Sequence, residues 1–117
     1  MIEHGYFYLG LAFLTIHEMD AIRCKEWRIL PGLSSLKDQT GYTVFLLAHI
    51  PLFVWVFWAL HQDPIHANFI LGFDLFMLIH IGLHVLLMNH RHNEFKDWRS
   101  WTFIIGAGLF GLLDLVT

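Results

Sequence analysis

Four long apolar runs, separated by short polar connections, dominate the pattern of hydrophobic and polar positions along the chain. At ~1.5 Å of rise per residue, each run is long enough as a helix to cross a hydrocarbon layer of ~30 Å. The pattern predicts an all-α fold, a four-helix transmembrane bundle. The predicted spans cover about residues 6–29, 42–60, 65–89 and 99–116.

Composition supports this prediction. Of the 117 residues, 56% are hydrophobic and only 15% are charged, and the mean hydropathy is +0.55. A water-soluble core of this size would leave much apolar surface exposed, so we interpret residues 1–117 as a single integral-membrane domain in contact with lipid. Nothing in the charge pattern suggests nucleic-acid binding. The single cysteine, Cys24, excludes an internal disulfide and a cysteine-rich metal site.

The basic residues predict the orientation, because Lys and Arg are retained on the cytoplasmic side during insertion. All seven lie between the apolar runs of spans one and two (about residues 6–22 and 42–60) or between those of spans three and four (about residues 67–88 and 100–116), which places both termini on the non-cytoplasmic side. No basic region precedes the first apolar run, so we expect no removed signal peptide. A multi-pass protein of a bacterial inner (plasma) membrane is the predicted location. The basic residues are Arg23, Lys25, Arg28, Lys37, Arg91, Lys96 and Arg99.

Several ionisable side chains lie inside the predicted spans, where each needs a partner or a function because an isolated charge is costly there. Counted from the cytoplasmic helix ends, four histidines of three helices share one layer at roughly 7–13 Å depth. His80 and His84 lie on one helical face, and His17 shares a face with Asp20. Neutral imidazoles with a carboxylate suit zinc or non-haem iron. The predicted metal ligands are His17, Asp20, His49, His80 and His84.

Two acids of the first span are candidate catalytic groups. Glu18 lies about 100° around the helix from His17, so it contacts a neighbouring helix or supports the ligands from outside. If the protein is an enzyme, the metal would polarise a substrate or activate water, and Glu18 or Asp20 would act as general base. A metal-dependent membrane hydrolase or oxidoreductase acting on a lipid-soluble substrate is therefore one hypothesis.

Two other classes of function stay open. Two histidines from different helices could clamp a haem, as in an electron-transfer subunit. Alternatively, the polar layer could carry protons or ions, or hold a partner in a larger membrane complex. In the fourth span, Ala107 and Gly111 have the small-xxx-small spacing that permits close helix approach, within the bundle, in a homo-oligomer or against a partner subunit. The sequence assigns no role to Asp74, His90 or His92.

The first span carries His17-Glu18-x-Asp20 and then Lys25-Glu26-Trp27, and isolated histidines follow in the next two spans. This arrangement resembles small bacterial integral-membrane families of unknown function with a His-Glu-x-Asp first span that ends in Glu-Trp. The HXXEE family is similar at a greater distance. The resemblance implies a four-helix membrane protein without an established activity. One acid with three histidines, two of them in HxxxH, is also similar to the zinc ligands of alkaline-ceramidase-like membrane hydrolases.

Overall fold

The computed structural model describes residues 3–117, which form four α-helices and no β-strand. The predicted all-α, four-helix fold is confirmed. Residues 1 and 2, which belong to the predicted single domain, lie outside the described residues. The helices are α1 (Gly5–Arg23), α2 (Asp38–His61), α3 (Ala67–Leu87) and α4 (Trp98–Val116), with a short 3-10 turn at Glu26–Arg28.

Three of the helices within residues 3–117, namely α2, α3 and α4, are long and apolar enough to cross a membrane. They indicate a membrane protein. Helix α1 is not among them, and it is more polar at its end, where His17, Glu18, Asp20 and Arg23 all fall in the last two turns. Its place as a fourth span stays a prediction, as does the side of the membrane on which the termini lie.

Helix α4 is the centre of the packing, because α1 and α3 both lie against it. Small residues make the approach close. A methyl group added at Gly111 would lie 3.0 Å from the carbonyl oxygen of Asp74, and one added at Gly108 would lie 3.1 Å from that of Met77. The small residues of α4 therefore serve contacts inside the chain, and an oligomer formed through this helix stays a prediction.

Helix α2 packs less closely than the other three helices, although Val56 and Ala59 reach the core that it shares with α3. Most of its apolar side chains are exposed along the whole length of the helix, including Leu47, Val54 and Phe57, which is 67% exposed. In a bilayer such side chains face lipid, which carries no penalty for apolar surface. The separation of α2 from α1 and α3 leaves a groove between these helices.

The two connections that hold the basic residues lie at the same end of the bundle. Arg23 Nη2 is 3.4 Å from Asp97 Oδ2, which joins the end of α1 to the start of α4. Asp97 also caps α4, where its Oδ1 accepts a hydrogen bond from the Ser100 backbone N–H at 2.9 Å. This bond to the backbone amide holds the pKa of Asp97 below its ordinary value. We call this end of the molecule the basic end.

Helix α1 ends at Arg23, short of residue 29, where the sequence pattern placed the end of the first span. The chain leaves the helix through Lys25, whose backbone has φ 52° and ψ 55°, the left-handed conformation. A non-glycine residue in this conformation breaks a helix sharply. No Gly or Pro marks the position in the sequence, since the first such pair is Pro31-Gly32.

Candidate metal centre

Four buried side chains converge near the basic end: His17 of α1, Glu26 of the 3-10 turn, and His80 and His84 of α3. Each offers one ligand atom, and these atoms all lie within 4.8 Å of one another. None of the four residues is more than 6% exposed. We call this group the His/Glu cluster, and it could hold a metal ion.

The spacing of the ligand atoms fits a first-row metal ion. The distances are 3.1 Å from His17 Nε2 to Glu26 Oε2, and 3.8 Å from His84 Nε2 to the same oxygen. His80 Nε2 and His84 Nε2 are 3.2 Å apart. A tetrahedral site with bonds of ~2.0–2.1 Å has ligands ~3.3 Å apart, so an ion could enter after small side-chain adjustments.

The hydrogen bonding of the cluster is incomplete. Buried polar side-chain atoms normally form a hydrogen bond within the protein, because bulk water cannot reach them to take the place of a missing partner. In residues 3–117, five buried side-chain nitrogen and oxygen atoms form no hydrogen bond, and four of the five belong to the cluster. His17 Nε2 and Glu26 Oε2 are among them, because their 3.1 Å contact does not have the geometry of a hydrogen bond. The four are His17 Nδ1, His17 Nε2, Glu26 Oε2 and His80 Nδ1, and the fifth is Asp74 Oδ1. A bound cation would use the lone pairs of the imidazole and carboxylate atoms that point inward.

Glu26 is the member of the cluster that the sequence reasoning missed. On an uninterrupted helix, the nine residues from His17 to Glu26 correspond to ~900° of rotation, which would place the two side chains on opposite faces. The left-handed Lys25 redirects the chain and brings Glu26 under the bundle. The sequence does show an acid in the Lys25-Glu26-Trp27 segment, close to the end of the first span. No residue there indicates that the helix breaks before it.

Phe95, in the connection between α3 and α4, covers the cluster at the basic end. Its ring centroid lies 4.7 Å from that of His84 and 5.4 Å from that of His17, and the residue is buried. Two side chains fix this connection. Asn93 accepts a hydrogen bond from the Phe95 N–H at 3.1 Å, and Trp101 Nε1 donates to the Phe95 carbonyl at 2.8 Å. The cluster is thereby closed to water at this end.

Asp20, predicted as a ligand and as a general base, lies against α4 instead. Its Oδ2 accepts a hydrogen bond from Ser100 Oγ at 2.6 Å, and its Oδ1 pairs with Arg23 Nε at 2.8 Å. Cys24 Sγ is 3.7 Å from Oδ2. These contacts satisfy the carboxylate, and the structure does not bring it together with the histidines.

His49, also predicted as a ligand, pairs with Glu18. The distance from His49 Nε2 to Glu18 Oε2 is 2.6 Å, and His49 Nδ1 is 2.6 Å from the carbonyl oxygen of Phe45. Each of the two paired side chains is 20% exposed. This pair joins α1 to α2, and it lies outside the His/Glu cluster.

Four further ionisable residues also lie outside the His/Glu cluster. His90 and His92 are in the connection that carries Phe95, where His90 Nδ1 accepts a hydrogen bond from the His92 backbone N–H at 3.1 Å. Asp114, at the opposite end, accepts one from the Phe7 N–H at 3.3 Å. Asp74 is buried on α3, three turns from His84.

Comparison with known proteins adds a family. No curated protein and no solved structure matches the chain significantly. A family model described as a family of unknown function matches residues 4–117, nearly the whole chain. The expectation of an uncharacterised family is confirmed, whereas similarity to the HXXEE family and a bacterial origin stay predictions. The chain therefore belongs to the family of unknown function DUF6713.

Proposed function

We propose that the protein is an integral-membrane metalloprotein that binds one transition-metal ion through His17, Glu26, His80 and His84. The observation that carries the proposal is the convergence of four buried side chains whose ligand atoms lie within 4.8 Å of one another, two of which, His17 Nε2 and Glu26 Oε2, have no hydrogen bond. An ion would tie the end of α1 and the 3-10 turn to α3, because the ligands come from all three elements.

The donor set favours zinc or non-haem iron. Three imidazoles and one carboxylate are ligands of intermediate hardness, whereas magnesium and calcium prefer oxygen ligands. Four protein ligands complete the tetrahedral coordination of zinc, while iron would need further ligands in a cluster that is closed by Phe95. Zinc is therefore the ion that we propose first, with iron as the alternative.

The packing of the His/Glu cluster also argues against haem binding and hydrolysis, two of the other functions that the sequence left open. The three imidazole rings contact one another edge to face, with centroids 4.5–4.9 Å apart, so they leave no slot for a porphyrin between them. A hydrolase would need an open coordination position and a base beside it, but Glu18 and Asp20 both point into other contacts. We accordingly propose a metal that stabilises the basic end, and not a haem or a hydrolytic centre.

Metal content tests the proposal. We expect wild-type protein purified in detergent and reconstituted with Zn²⁺ to carry about one ion per chain, and X-ray absorption to report nitrogen and oxygen neighbours at ~2.0–2.1 Å. His80→Ala and His84→Ala should carry none. His90→Ala and His92→Ala are the matched controls, since these histidines lie outside the cluster, and both should retain the ion.

The proposal fails if wild-type protein binds neither Zn²⁺ nor Fe²⁺ above background under these conditions. It also fails if His90→Ala loses the ion and His80→Ala keeps it. A Soret band in the purified protein would instead support the haem hypothesis.

A further inference from the structure

A groove of about 380 Å³ lies between α1, α2 and α3, within the range of volumes that hold small ligands. Its walls are almost wholly apolar. It is separate from the His/Glu cluster, because none of the four cluster residues lines it; Phe76, which does, has its ring centroid 5.8 Å from that of His80. The side of the groove formed by α2 is exposed, so in a membrane a ligand could enter directly from the lipid.

Two polar side chains, Thr15 and Glu18, reach the groove. The Thr15 hydroxyl is already used, since it donates to the Leu11 carbonyl at 2.8 Å. Glu18 uses only its Oε2, in the contact with His49. Among residues 3–117, no donor forms a hydrogen bond to Glu18 Oε1, which leaves one oxygen available to a ligand.

The protonation of the Glu18–His49 pair follows from its contacts. A carbonyl oxygen only accepts, so His49 Nδ1 must carry the proton that it shares with Phe45. The 2.6 Å contact between Nε2 and Oε2 then holds one further proton, and the pair is neutral whichever atom carries it. In both cases Glu18 Oε1 is a hydrogen-bond acceptor, so the groove suits a neutral ligand with a donor.

The residues that line the groove indicate which kind of apolar group the ligand carries. Five of the residues that line the groove are aromatic: Phe53, Trp55, Phe57, Phe73 and Phe76. Aromatic side chains favour an aromatic ring, through offset or edge-to-face contacts, beyond what area alone provides. We propose that the groove binds a lipid-soluble phenol or hydroquinone, with its ring between these side chains and its hydroxyl donating to Glu18 Oε1.

A lipid-soluble substrate was one hypothesis from the sequence, and this inference gives such a molecule a chemical class and a binding site. It rests on the membrane location of the proposed function and not on the metal. The test uses tritiated decylhydroquinone and the full chain in phosphatidylcholine nanodiscs, under anaerobic conditions, with empty nanodiscs as background. We expect saturable binding to the wild type. The dimethyl ether of the same compound, which has no donor, should bind about tenfold more weakly, as expected for one lost hydrogen bond.

Variants of Glu18 locate the contact. Glu18→Leu should bind decylhydroquinone about as weakly as the wild type binds the ether. Glu18→Gln should retain binding within a few-fold, because its amide keeps an acceptor oxygen and can donate to His49 Nε2. Thr15→Val is the matched control in the same wall and should bind normally. If Glu18→Leu does not fold, the comparison of the two compounds on wild-type protein still decides.

Three results would overturn the inference. Equal affinity for decylhydroquinone and its ether would exclude the hydrogen bond to Glu18. Equal affinity for decanol would show that the groove accepts any alkyl chain. Absence of saturable binding, with a dimer in the nanodisc, would show that a second copy of the chain covers the groove. His80→Ala should lose metal and keep ligand binding, so failure of one proposal is distinguishable from failure of the other.

Discussion

At the scale of single residues, the sharpest difference between sequence and structure concerns which acid belongs to the His/Glu cluster. The structure places Glu26 there, with Oε2 at 3.1 Å from His17 Nε2. We expect Glu26→Gln to weaken Zn²⁺ binding by about tenfold or more, because a neutral amide is a poor zinc ligand. Competition with a chelator of known affinity measures the change.

Asp20→Asn is the matched control for that substitution, since it removes the acid that the sequence placed in the site. Its carboxylate is bonded to Ser100 and Arg23, so the variant should lose stability but keep the affinity for Zn²⁺. The reverse outcome, with normal binding by Glu26→Gln and none by Asp20→Asn, would support the ligand set predicted from the sequence.

Much of the cluster was nevertheless visible in the sequence. His80 and His84 share a helical face because they are four residues apart. Counting residues from the cytoplasmic helix ends placed His17 in the same layer. The count gave depth but not direction, so it could not show that His49 faces Glu18. Glu26 could not be predicted as a member of the cluster for a different reason. Its position depends on one left-handed residue, Lys25, and a lysine in the sequence does not indicate that conformation.

At the scale of helices, the contact between α3 and α4 depends on residues without side chains. A methyl group at Gly108 would lie 2.5 Å from Ile81 Cγ1 and 3.1 Å from the Met77 carbonyl oxygen. We expect Gly108→Ala to lower the free energy of unfolding by about 1–3 kcal/mol, the usual cost of overpacking. Unfolding by a denaturing detergent, followed by circular dichroism, measures it.

Gly82→Ala on α3 is the matched control, because a methyl group there has no neighbour within 4 Å. Both variants gain the same helix propensity, so their difference isolates the clash. Equal stability of the two would contradict the close packing of α3 on α4.

The helices themselves follow from the sequence better than their packing does. The observed α2, α3 and α4 lie within a few residues of the predicted spans, because long apolar runs have few alternatives to a helix. Which helices pack together was not predictable in this way. A helix that is apolar on all sides does not show which side meets a neighbour. In the sequence α2, whose side chains are largely exposed, looks like α3, which buries one side against its neighbours.

At the scale of the whole molecule, the proposed metal should stabilise the fold, since it binds only when α1, the 3-10 turn and α3 are in place. At an ion concentration 100 times the Kd, the gain is about 2.7 kcal/mol. We expect Zn²⁺ to raise the Tm of the wild type and a chelator to reverse the rise. His84→Ala should show neither effect, whereas a similar rise in this variant would place the metal elsewhere.

The positions of the basic residues also predict how the bundle is oriented in the membrane. Both connections that hold the basic residues meet at the basic end, where Cys24 Sγ lies 3.5 Å from the Glu94 carbonyl oxygen. All seven positive charges therefore lie toward one end of the bundle, and the positive-inside rule predicts that this end faces the cytoplasm. We expect both termini to be outside.

Cysteine labelling in intact cells tests this orientation in a Cys24→Ser background. A membrane-impermeant maleimide should label Thr117→Cys, at the end of the chain, and Gln62→Cys, in the connection between α2 and α3. It should label Lys37→Cys only after the cells are permeabilised, because that position belongs to the basic end. Labelling of Lys37→Cys alone in intact cells would invert the topology. Labelling of Lys37→Cys and Thr117→Cys together would mean that an even number of segments crosses the membrane between these positions, and that α2, α3 and α4 do not all span it.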